Sequence, residues 1–282
     1  MKTYTKSSLI ISTYNWPEAL RLCLLSVKEQ SVLPDEVIIA DDGSTEETSA
    51  IIEAIRPTFP VRLVHIWHKD EGFQLSKIRN KAIATSSFKY IIQIDGDLIL
   101  HKHFIKDHLN LSKPGAFMTG SRVLMNKQLS ERLLRLQKTG IQLFEPGLGN
   151  LFNRVNAAWL SRCLADHYRT HDIFSLRGCN MAFWKEDLVR VNGYNECFTG
   201  WGREDNEIAV RLINSGIRKR TIKFGGIVFH IHHQEADRRN YQENEGRLTY
   251  ALQNNSVYCS QGLDQYFNTF NEVEQVENEL IA

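Results

Sequence analysis

The chain has 282 residues, of which 42% are hydrophobic and 24% are charged, and its formal net charge is +1. This length and composition predict a globular protein of one large domain or two small ones. The near-zero net charge argues against a basic nucleic-acid-binding surface, so no nucleic-acid partner is expected.

Cysteine usage and hydropathy bear on the cellular compartment. The five cysteines form neither a CxxC pair nor a zinc-ligand spacing (Cys23, Cys163, Cys179, Cys197 and Cys259). Such a scattered set indicates reduced thiols in a cytoplasm. No apolar run approaches the ~20 residues that cross a bilayer, and the first apolar run is too short for a secretory signal. We therefore expect a cytoplasmic protein, with at most a peripheral contact at the inner membrane.

The first hundred residues alternate between strand-like and helix-like segments. Four β-branched apolar runs predict buried parallel strands at 7–13, 35–42, 61–67 and 89–95. Helices are predicted behind Pro17, behind a capping box at 44–47, and over 76–86. Strand–helix alternation indicates βαβ units, and thus an α/β fold with a Rossmann-like, mostly parallel twisted sheet flanked by helices.

The second half of the chain is less regular. Residues 112–176 carry mixed charge, and 129–144 predicts an amphipathic helix, so this segment is expected to be a helical insertion. A strand follows at 179–184, and a further helix ends at Gly216. Beyond 226–233 the chain is polar, which predicts a helical extension over 236–282.

Three polar clusters lie at the carboxyl ends of predicted strands, where such sheets bind ligands: Tyr14-Asn15, Asp41-Asp42 and Asp95-Gly96-Asp97. The last is either an ordinary turn or a divalent-metal site. No glycine-rich loop follows the first strand, which excludes a dinucleotide fingerprint and a P-loop. A nucleotide site would then depend on side chains and metal, with Tyr14 stacking on a base and Asp42 accepting a base N–H. A plain strand-end turn remains the alternative at Asp42.

Joined in order, these segments resemble the family 2 glycosyltransferases with the GT-A fold. Residues 8–48 resemble that family's opening strand, helix and nucleotide-binding second strand, and "DEGFQLSKIRNKAIATSSFKYIIQIDGD" resembles its arginine-asparagine helix and DxD motif. The segment "GCNMAFWKEDL…GWGREDNEIAVRLINSG" is similar to a galactosyltransferase-type C-terminal catalytic segment. The resemblance spans about 7–111 and 175–235.

The resemblance implies an inverting, metal-dependent glycosyltransferase. It would move a hexose or N-acetylhexosamine from a UDP-sugar to a hydroxyl of a glycan or glycolipid acceptor, in bacterial lipopolysaccharide or capsule biosynthesis. The GT-A domain would span 1–235, with a nucleotide-binding half over about 1–111 and an acceptor and catalytic half over about 112–235. The extension over 236–282 would follow, and from about Asn240 it is expected to shape the acceptor side.

The resemblance also implies a role for individual residues. The nucleotide would be bound by Ser12, Tyr14, Asn15, Asp42, Arg79, Asp95 and Gly96. Mn²⁺ or Mg²⁺ would be held by Asp97, Asp95 and His230, with His233 as the second choice of histidine. Asp205 would be the general base, and Glu204 would hold the acceptor or brace its loop. The acceptor would contact Trp201, Gly202, Asn180 and His233.

Each of these patterns also has a structural explanation. Glu204-Asp205 suits a plain helix start, although neighbours ~100° apart on a helix should not share one role. If the strand extends through the histidines, His230 and His232 share one face and His233 lies on the other. The basic run at 218–223 (Arg218, Lys219, Arg220 and Lys223) is either a solvated face or a contact with anionic lipid.

Two other functions are compatible with a similar core. One is a nucleotidyltransferase that makes a sugar nucleotide, which would need a glycine-rich basic loop after the first strand. The other is a non-catalytic sugar-nucleotide binding module, which the two intact carboxylate pairs disfavour.

Overall fold

The structure is a computed structural model that describes residues 4–234 and 237–267. Ten strands lie within these residues: β1 (Ser7–Thr13), β2 (Glu36–Asp41), β3 (Arg62–Trp67), β4 (Tyr90–Asp95), β5 (Leu98–Leu100), β6 (Ala116–Gly120), β7 (Arg122–Leu124), β8 (Asn180–Trp184), β9 (Arg218–Ile222) and β10 (Val228–His230). The same residues contain nine α-helices: α1 (Pro17–Lys28), α2 (Glu46–Ile55), α3 (Leu75–Thr85), α4 (Phe104–Leu111), α5 (Lys127–Leu136), α6 (Ala158–Leu164), α7 (Lys185–Arg190), α8 (Glu204–Asn214) and α9 (Tyr241–Gln253).

The main sheet has seven strands in the order β3-β2-β1-β4-β8-β6-β9. Strands β1 to β4 pair in parallel, β8 lies antiparallel between β4 and β6, and β9 is parallel to β6. In this register Thr13 pairs with Asp41, and Ser12 pairs with Asp95. The polar ends of β1, β2 and β4 therefore meet at one edge of the sheet, as the sequence predicts. The α/β class with a mostly parallel sheet is confirmed.

Both faces of this sheet are covered by apolar side chains. Leu9 and Ile11 of β1 pack into a core with Leu20 and Leu24 of α1. The alternate residue, Ile10, packs into a second core that contains side chains of α3 and α8. Burial on both faces explains why these strands are continuous apolar runs rather than alternating ones.

A second, smaller sheet completes the ligand-binding edge. Its three strands lie in the order β5-β10-β7. His230 pairs with Leu98, and the Ile231 N–H donates to the Asp97 carbonyl at 3.0 Å. This sheet was not predicted, because its strands are three residues long and pair over more than a hundred positions. It brings the histidines after β10 beside the Asp95–Asp97 segment.

Two local features differ from the sequence predictions. Thr45 is the N-cap of α2 but makes no side-chain capping bond, so the predicted capping box is wrong. Ser44 accepts from the Asn15 N–H instead, and the Thr45 N–H donates to Asn15 Oδ1. Segment 112–176 contains β6 and β7 besides α5 and α6, and β6 joins the main sheet.

The extension after β10 is helical in part. It contains α9, whereas residues 254–262 form no helix, and 268–282 lie outside the described residues. The basic run is a solvated face only in part, since Arg218 is exposed whereas Lys219 and Arg220 are buried. Lys219 donates to the Arg169 and Asp172 carbonyls, and Arg220 is paired with Asp166. These two side chains do not face solvent, so they are not available to anionic lipid. Among the described helices, none is long and apolar enough to span a membrane.

Candidate active site

Asp97, His230 and His233 form a group suited to a metal ion. One ligand atom from each lies within 4.8 Å of the others. His233 Nε2 is 3.1 Å and His230 Nε2 is 3.4 Å from Asp97 Oδ2. Both imidazoles converge on one carboxylate oxygen, although the strand period predicts that they face opposite ways. That prediction is wrong because β10 ends at His230, so the alternation does not extend to His233.

The protonation of this group follows from its surroundings. Burial would raise the pKa of Asp97, but the hydrogen bond from His233 and the charge of His230 outweigh it and lower the pKa. Burial lowers the pKa of His230. The hydrogen bond between His233 and Asp97 raises the pKa of His233. Asp97 Oδ1 is buried and has no hydrogen-bond partner among the described residues. An unpaired carboxylate oxygen beside two imidazoles fits a bound divalent cation.

Arg79 connects the two carboxylate pairs of the site. Its guanidinium is buried and donates to Asp95 Oδ1 at 3.1 Å, to Asp205 Oδ1 at 3.0 Å and to Ser12 Oγ at 3.3 Å. Burial disfavours its charge, but Asp205 and Asp95 keep its pKa above the usual value. Burial, together with the nearby Asp97 and Asp205, raises the pKa of Asp95 against the effect of Arg79. Asp95 is therefore paired with the Arg79 guanidinium, and it does not belong to the group formed by Asp97, His230 and His233.

Glu204 and Asp205 open α8, as predicted, and have different partners. Asp205 Oδ1 accepts from Arg79 and also from the Tyr194 hydroxyl at 3.2 Å. Glu204 is buried, and its Oε2 has no partner within the described residues. Burial, with the adjacent Asp205 charge, raises the pKa of Glu204 to about 8. Asp205 is thus ion-paired, while Glu204 is a neutral acid near pH 7.

The ends of β1 and β2 are braced by residues that the sequence analysis missed. Asp42 accepts from His68 Nε2 at 2.7 Å and from the Gln74 N–H at 2.9 Å. Tyr14 is half exposed, and its hydroxyl donates to Asp70 at 2.9 Å. The sequence analysis gave no role to His68, Asp70 or Gln74, although "DEGFQ" begins a segment that resembles the family. Through these contacts the loop between β3 and α3 packs against Tyr14 and Asp42.

Asn15 and Gly96 hold backbone positions at the same edge. Asn15 adopts a positive φ of 44° and joins the loops after β1 and β2 through the contacts with Ser44 and Thr45 given above. The Gly96 N–H donates to the Ser12 carbonyl at 2.7 Å. This bond holds the turn after β4 against the end of β1.

Trp201 lies beside a cavity of about 450 Å³. The cavity is also lined by Phe73, Gln74, Thr199 and Asn240, whereas Asp97 and Asp205 do not line it. The Trp201 ring stacks on Tyr241 of α9 at 5.9 Å. Gly202 has φ +109°, which an L side chain rarely adopts and which explains the glycine before α8.

Asn180, which was expected to contact the acceptor, lies inside the protein. It is fully buried, and its amide donates to the Ser121 and Gly226 carbonyls. The expected acceptor contact therefore has no exposed surface here. Burial raises the pKa of the neighbouring Cys179 thiol to about 12, which disfavours a reactive thiolate.

Two family models match the chain. One is described as glycosyl transferase family 2 and covers residues 8–169, and the other is described as N-terminal domain of galactosyltransferase and covers 161–234. Chondroitin synthase of Escherichia coli is 27% identical over 79% of this chain and 34% of its own length. Hyaluronan synthase of Pasteurella multocida is 30% identical over 81% of this chain and 24% of its own length. The chain thus spans about a third or less of these relatives.

Solved structures share the fold. Residues 1–349 of TarS from S. aureus superimpose with a TM-score of 0.62 at 15% identity, covering 93% of this chain and 68% of that one. The mannosyltransferase PcManGT from Pyrobaculum calidifontis gives a TM-score of 0.58 at 17% identity, covering 87% and 61%. The architecture is therefore that of the GT-A glycosyltransferases. The model for glycosyl transferase family 2 covers more than half of the chain, so the chain belongs to this family.

Proposed function

We propose that the chain is an inverting, metal-dependent glycosyltransferase that moves a hexose or N-acetylhexosamine from a UDP-sugar to a glycan hydroxyl. The observation that carries the proposal is the Asp97, His230 and His233 group, which follows the Arg79-bridged Asp95 at the end of β4. Arg79 links Asp95, two residues before Asp97, to the ion-paired carboxylate of Asp205. Such a pair of sites suits a reaction with a diphosphate leaving group and a hydroxyl nucleophile.

The donor would bind along the ends of β1, β2 and β4. Tyr14 offers a half-exposed ring for the base. Asp42 would accept a base N–H in addition to the hydrogen bonds that it receives from His68 and Gln74. Ser12, Asn15, Arg79, Asp95 and Gly96 would form the rest of this wall. Structures with the same fold have been solved with UDP and with GDP-Man and Mn²⁺, which supports a sugar-nucleotide donor.

Asp97, His230 and His233 would hold the divalent cation. When bound, Mn²⁺ or Mg²⁺ neutralises the charge that develops on the departing diphosphate. Two imidazoles and one carboxylate favour Mn²⁺, because Mg²⁺ prefers oxygen ligands and gives up its water reluctantly. Asp95 lies two residues from Asp97 but is paired with Arg79, and we therefore assign it to the ribose and to orienting Arg79.

Asp205 would accept the proton of the acceptor hydroxyl. As the O–H bond breaks, the oxygen attacks the anomeric carbon from the side opposite to UDP, and UDP leaves with the electron pair of the old C–O bond. A single displacement inverts the configuration. Glu204, being neutral near pH 7, would donate a hydrogen bond or brace the loop rather than compete as a base.

The acceptor would lie against the Trp201 loop. The ring of Trp201 and the adjacent cavity offer a stacking surface and polar groups for a sugar. The matching relatives are named chondroitin synthase and hyaluronan synthase, which supports a polysaccharide or glycolipid acceptor of the kind found in bacterial capsules or lipopolysaccharide. We place the reaction in the cytoplasm, with any membrane contact peripheral.

A panel of UDP-sugars, assayed for UDP release with Mn²⁺ and with EDTA, tests the proposal. We expect Mn²⁺-dependent release of UDP from one or two donors, accelerated by an oligosaccharide acceptor. Release of pyrophosphate instead would identify a nucleotidyltransferase. Tight binding of UDP-sugars without turnover on any acceptor would identify a binding module.

A further inference from the structure

Tyr194 is a fully buried tyrosine whose hydroxyl reaches Asp205, and the mechanism above gives it no role. The hydroxyl oxygen is 3.2 Å from Asp205 Oδ1, and the Arg79 guanidinium lies 5.2 Å from the ring centre. The backbone of Tyr194 is held on both sides by Asn80 of α3, which accepts from its N–H and donates to its carbonyl, each at 2.8 Å. The ring is therefore fixed by α3 and not by α8, which carries Asp205.

Gln93 determines the direction of the tyrosine hydroxyl. Gln93 Nε2 donates to the Gly178 carbonyl at 3.2 Å and to the Tyr194 hydroxyl oxygen at 2.9 Å. A backbone carbonyl can accept but not donate, so the NH₂ group of the Gln93 amide must face this side. The tyrosine oxygen thus receives a hydrogen bond from Gln93, and its own proton is directed to Asp205.

The two oxygens of Asp205 consequently differ. Oδ1 accepts from Arg79 and from Tyr194, whereas Oδ2 accepts no hydrogen bond within the described part of the chain. A Cβ added at Gly178 would lie 1.6 Å from Oδ2, so Oδ2 is packed against the backbone there. The carboxylate is held in one orientation by two donors on one oxygen and by Gly178 beside the other.

We propose that Tyr194 is a positioning residue that holds Asp205 so that Oδ2 takes the proton of the acceptor hydroxyl. The proposal rests on the proposed transferase function. The acceptor O–H bond breaks, its proton moves to Oδ2, the new C–O bond forms, and UDP leaves with its electron pair. Tyr194 keeps its proton throughout. Its donation stabilises the charged carboxylate and prevents rotation about the Cβ–Cγ bond.

Five charged or titratable groups lie near Asp205. Arg79 of α3 and Tyr194 donate to it, Asp95 of β4 shares Arg79 with it, and Glu204 precedes it on α8. The buried thiol of Cys179 lies next to Gly178 in the chain. Since Arg79 and Tyr194 both donate to Oδ1, loss of one donor should leave the carboxylate less firmly oriented.

Tyr194→Phe tests the proposal, with Tyr90→Phe as the matched control. Tyr90 is also fully buried, but its hydroxyl has no partner in the described residues. A hydrogen bond to a charged group contributes about 1.5–3 kcal/mol, so Tyr194→Phe should lower kcat about 10–100-fold. The KM for the UDP-sugar should stay within about twofold, because the tyrosine hydroxyl contacts the general base and not the donor residues. Tyr90→Phe should match the wild type in both constants.

The outcomes separate this inference from the proposed function. A wild type that transfers no sugar contradicts the function itself. An active wild type with Tyr194→Phe indistinguishable from Tyr90→Phe contradicts the positioning role, as does a loss of kcat with an equally large rise in the KM for the UDP-sugar. If Tyr194→Phe does not fold, Gln93→Met decides, because it removes the donor that directs the hydroxyl. It should lower kcat in the same direction by a smaller factor, and an unchanged kcat would overturn the inference.

Discussion

Asp205 and Glu204 are neighbours in the chain, but their surroundings differ. Asp205 shares Arg79 with Asp95, whereas Glu204 is buried without a partner for Oε2 in the described residues. Two carboxyl groups whose environments separate their protonation states suit different roles in one site. The helix geometry leads to the same conclusion, because neighbouring side chains diverge by about 100°.

Substitution of the two residues should therefore affect different kinetic constants. Asp205→Asn should lower kcat by roughly 10²–10⁴-fold, as expected for a general base, with little change in UDP affinity. Glu204→Gln should act mainly through the KM of the acceptor. Steady-state kinetics with varied donor and acceptor measure both. If Glu204→Gln abolished kcat while Asp205→Asn changed only KM, the two roles would have to be exchanged.

Glu204 should also make stability depend on pH. Its folded-state pKa is raised to about 8, so the folded state holds a proton that the unfolded state releases above about pH 4.5. This contribution is present at low pH and is lost as pH rises through the folded pKa. The free energy of unfolding of Glu204→Gln, relative to the wild type, should therefore increase by about 2–4 kcal/mol between pH 5 and pH 8.5. Urea unfolding at both pH values measures it, and a constant difference would show that Glu204 is ionised in the fold.

At the scale of elements, Asp205 of α8 packs closely against Gly178, in the segment before β8. Gly178 leaves no room for a side chain, since its added Cβ would meet Asp205 Oδ2 at 1.6 Å. Gly178→Ala should displace Asp205, lower kcat by at least about tenfold and cost roughly 1–3 kcal/mol by overpacking. Gly140→Ala is the control, because its Cβ would meet nothing within 4 Å. Equal activity and melting temperature of the two variants would contradict the close packing.

The elements that the sequence predicted correctly are those with a strong local pattern. Strands β1 to β4 are β-branched runs, and α1 begins at a proline, so both can be recognised without knowing the fold. The smaller sheet could not be predicted, since Val228 pairs with Leu100 and Arg122 across the chain. The direction of the His233 side chain depends on where β10 ends. The alternation of residues along a strand does not predict that end.

Buried charges were the other failure of sequence reasoning. Lys219 and Arg220 occupy a strand in a basic run that resembles a solvated face. Their partners lie far away in the sequence, at Asp172 and Asp166. Local charge patterns contain no information on such pairs. Sequence reasoning missed Tyr194 and Gln93 for the same reason. Tyr194 contacts Asp205, and Gln93 contacts Tyr194, only once the chain is folded.

At the scale of the molecule, the segment after β10 is part of the scaffold. Leu248 and Ala251 of α9 are buried with Val210 of α8. The Asn192 amide donates to the Cys259 carbonyl and to the Asp264 carboxylate, and it accepts from the Asp264 N–H. Truncation from Asn240 would therefore remove core packing as well as the Trp201 contact, and it cannot isolate an effect on the acceptor.

A point substitution in α9 is the sharper test of that scaffold role. Leu248 is fully buried, so Leu248→Ala should lower the free energy of unfolding by about 2–5 kcal/mol. Below the melting temperature, kcat and both KM values should stay within about twofold of the wild type. Leu252→Ala, at a partly exposed position of the same helix, serves as the control. A specific rise in the acceptor KM of Leu248→Ala would instead place the core of α9 in acceptor binding.

The central claim is that Asp97, with His230 and His233, holds a divalent cation that binds the donor diphosphate. The most direct measurement is the affinity for UDP with Mn²⁺ and with EDTA, in the wild type and in Asp97→Asn, by isothermal titration calorimetry. We expect Mn²⁺ to strengthen UDP binding at least about tenfold in the wild type, a gain of ~1.4 kcal/mol, and not in Asp97→Asn. The two proteins should bind UDP alike in EDTA. An Asp97→Asn variant that retains the full Mn²⁺ effect, or a wild type that binds UDP equally well in EDTA, would contradict the claim.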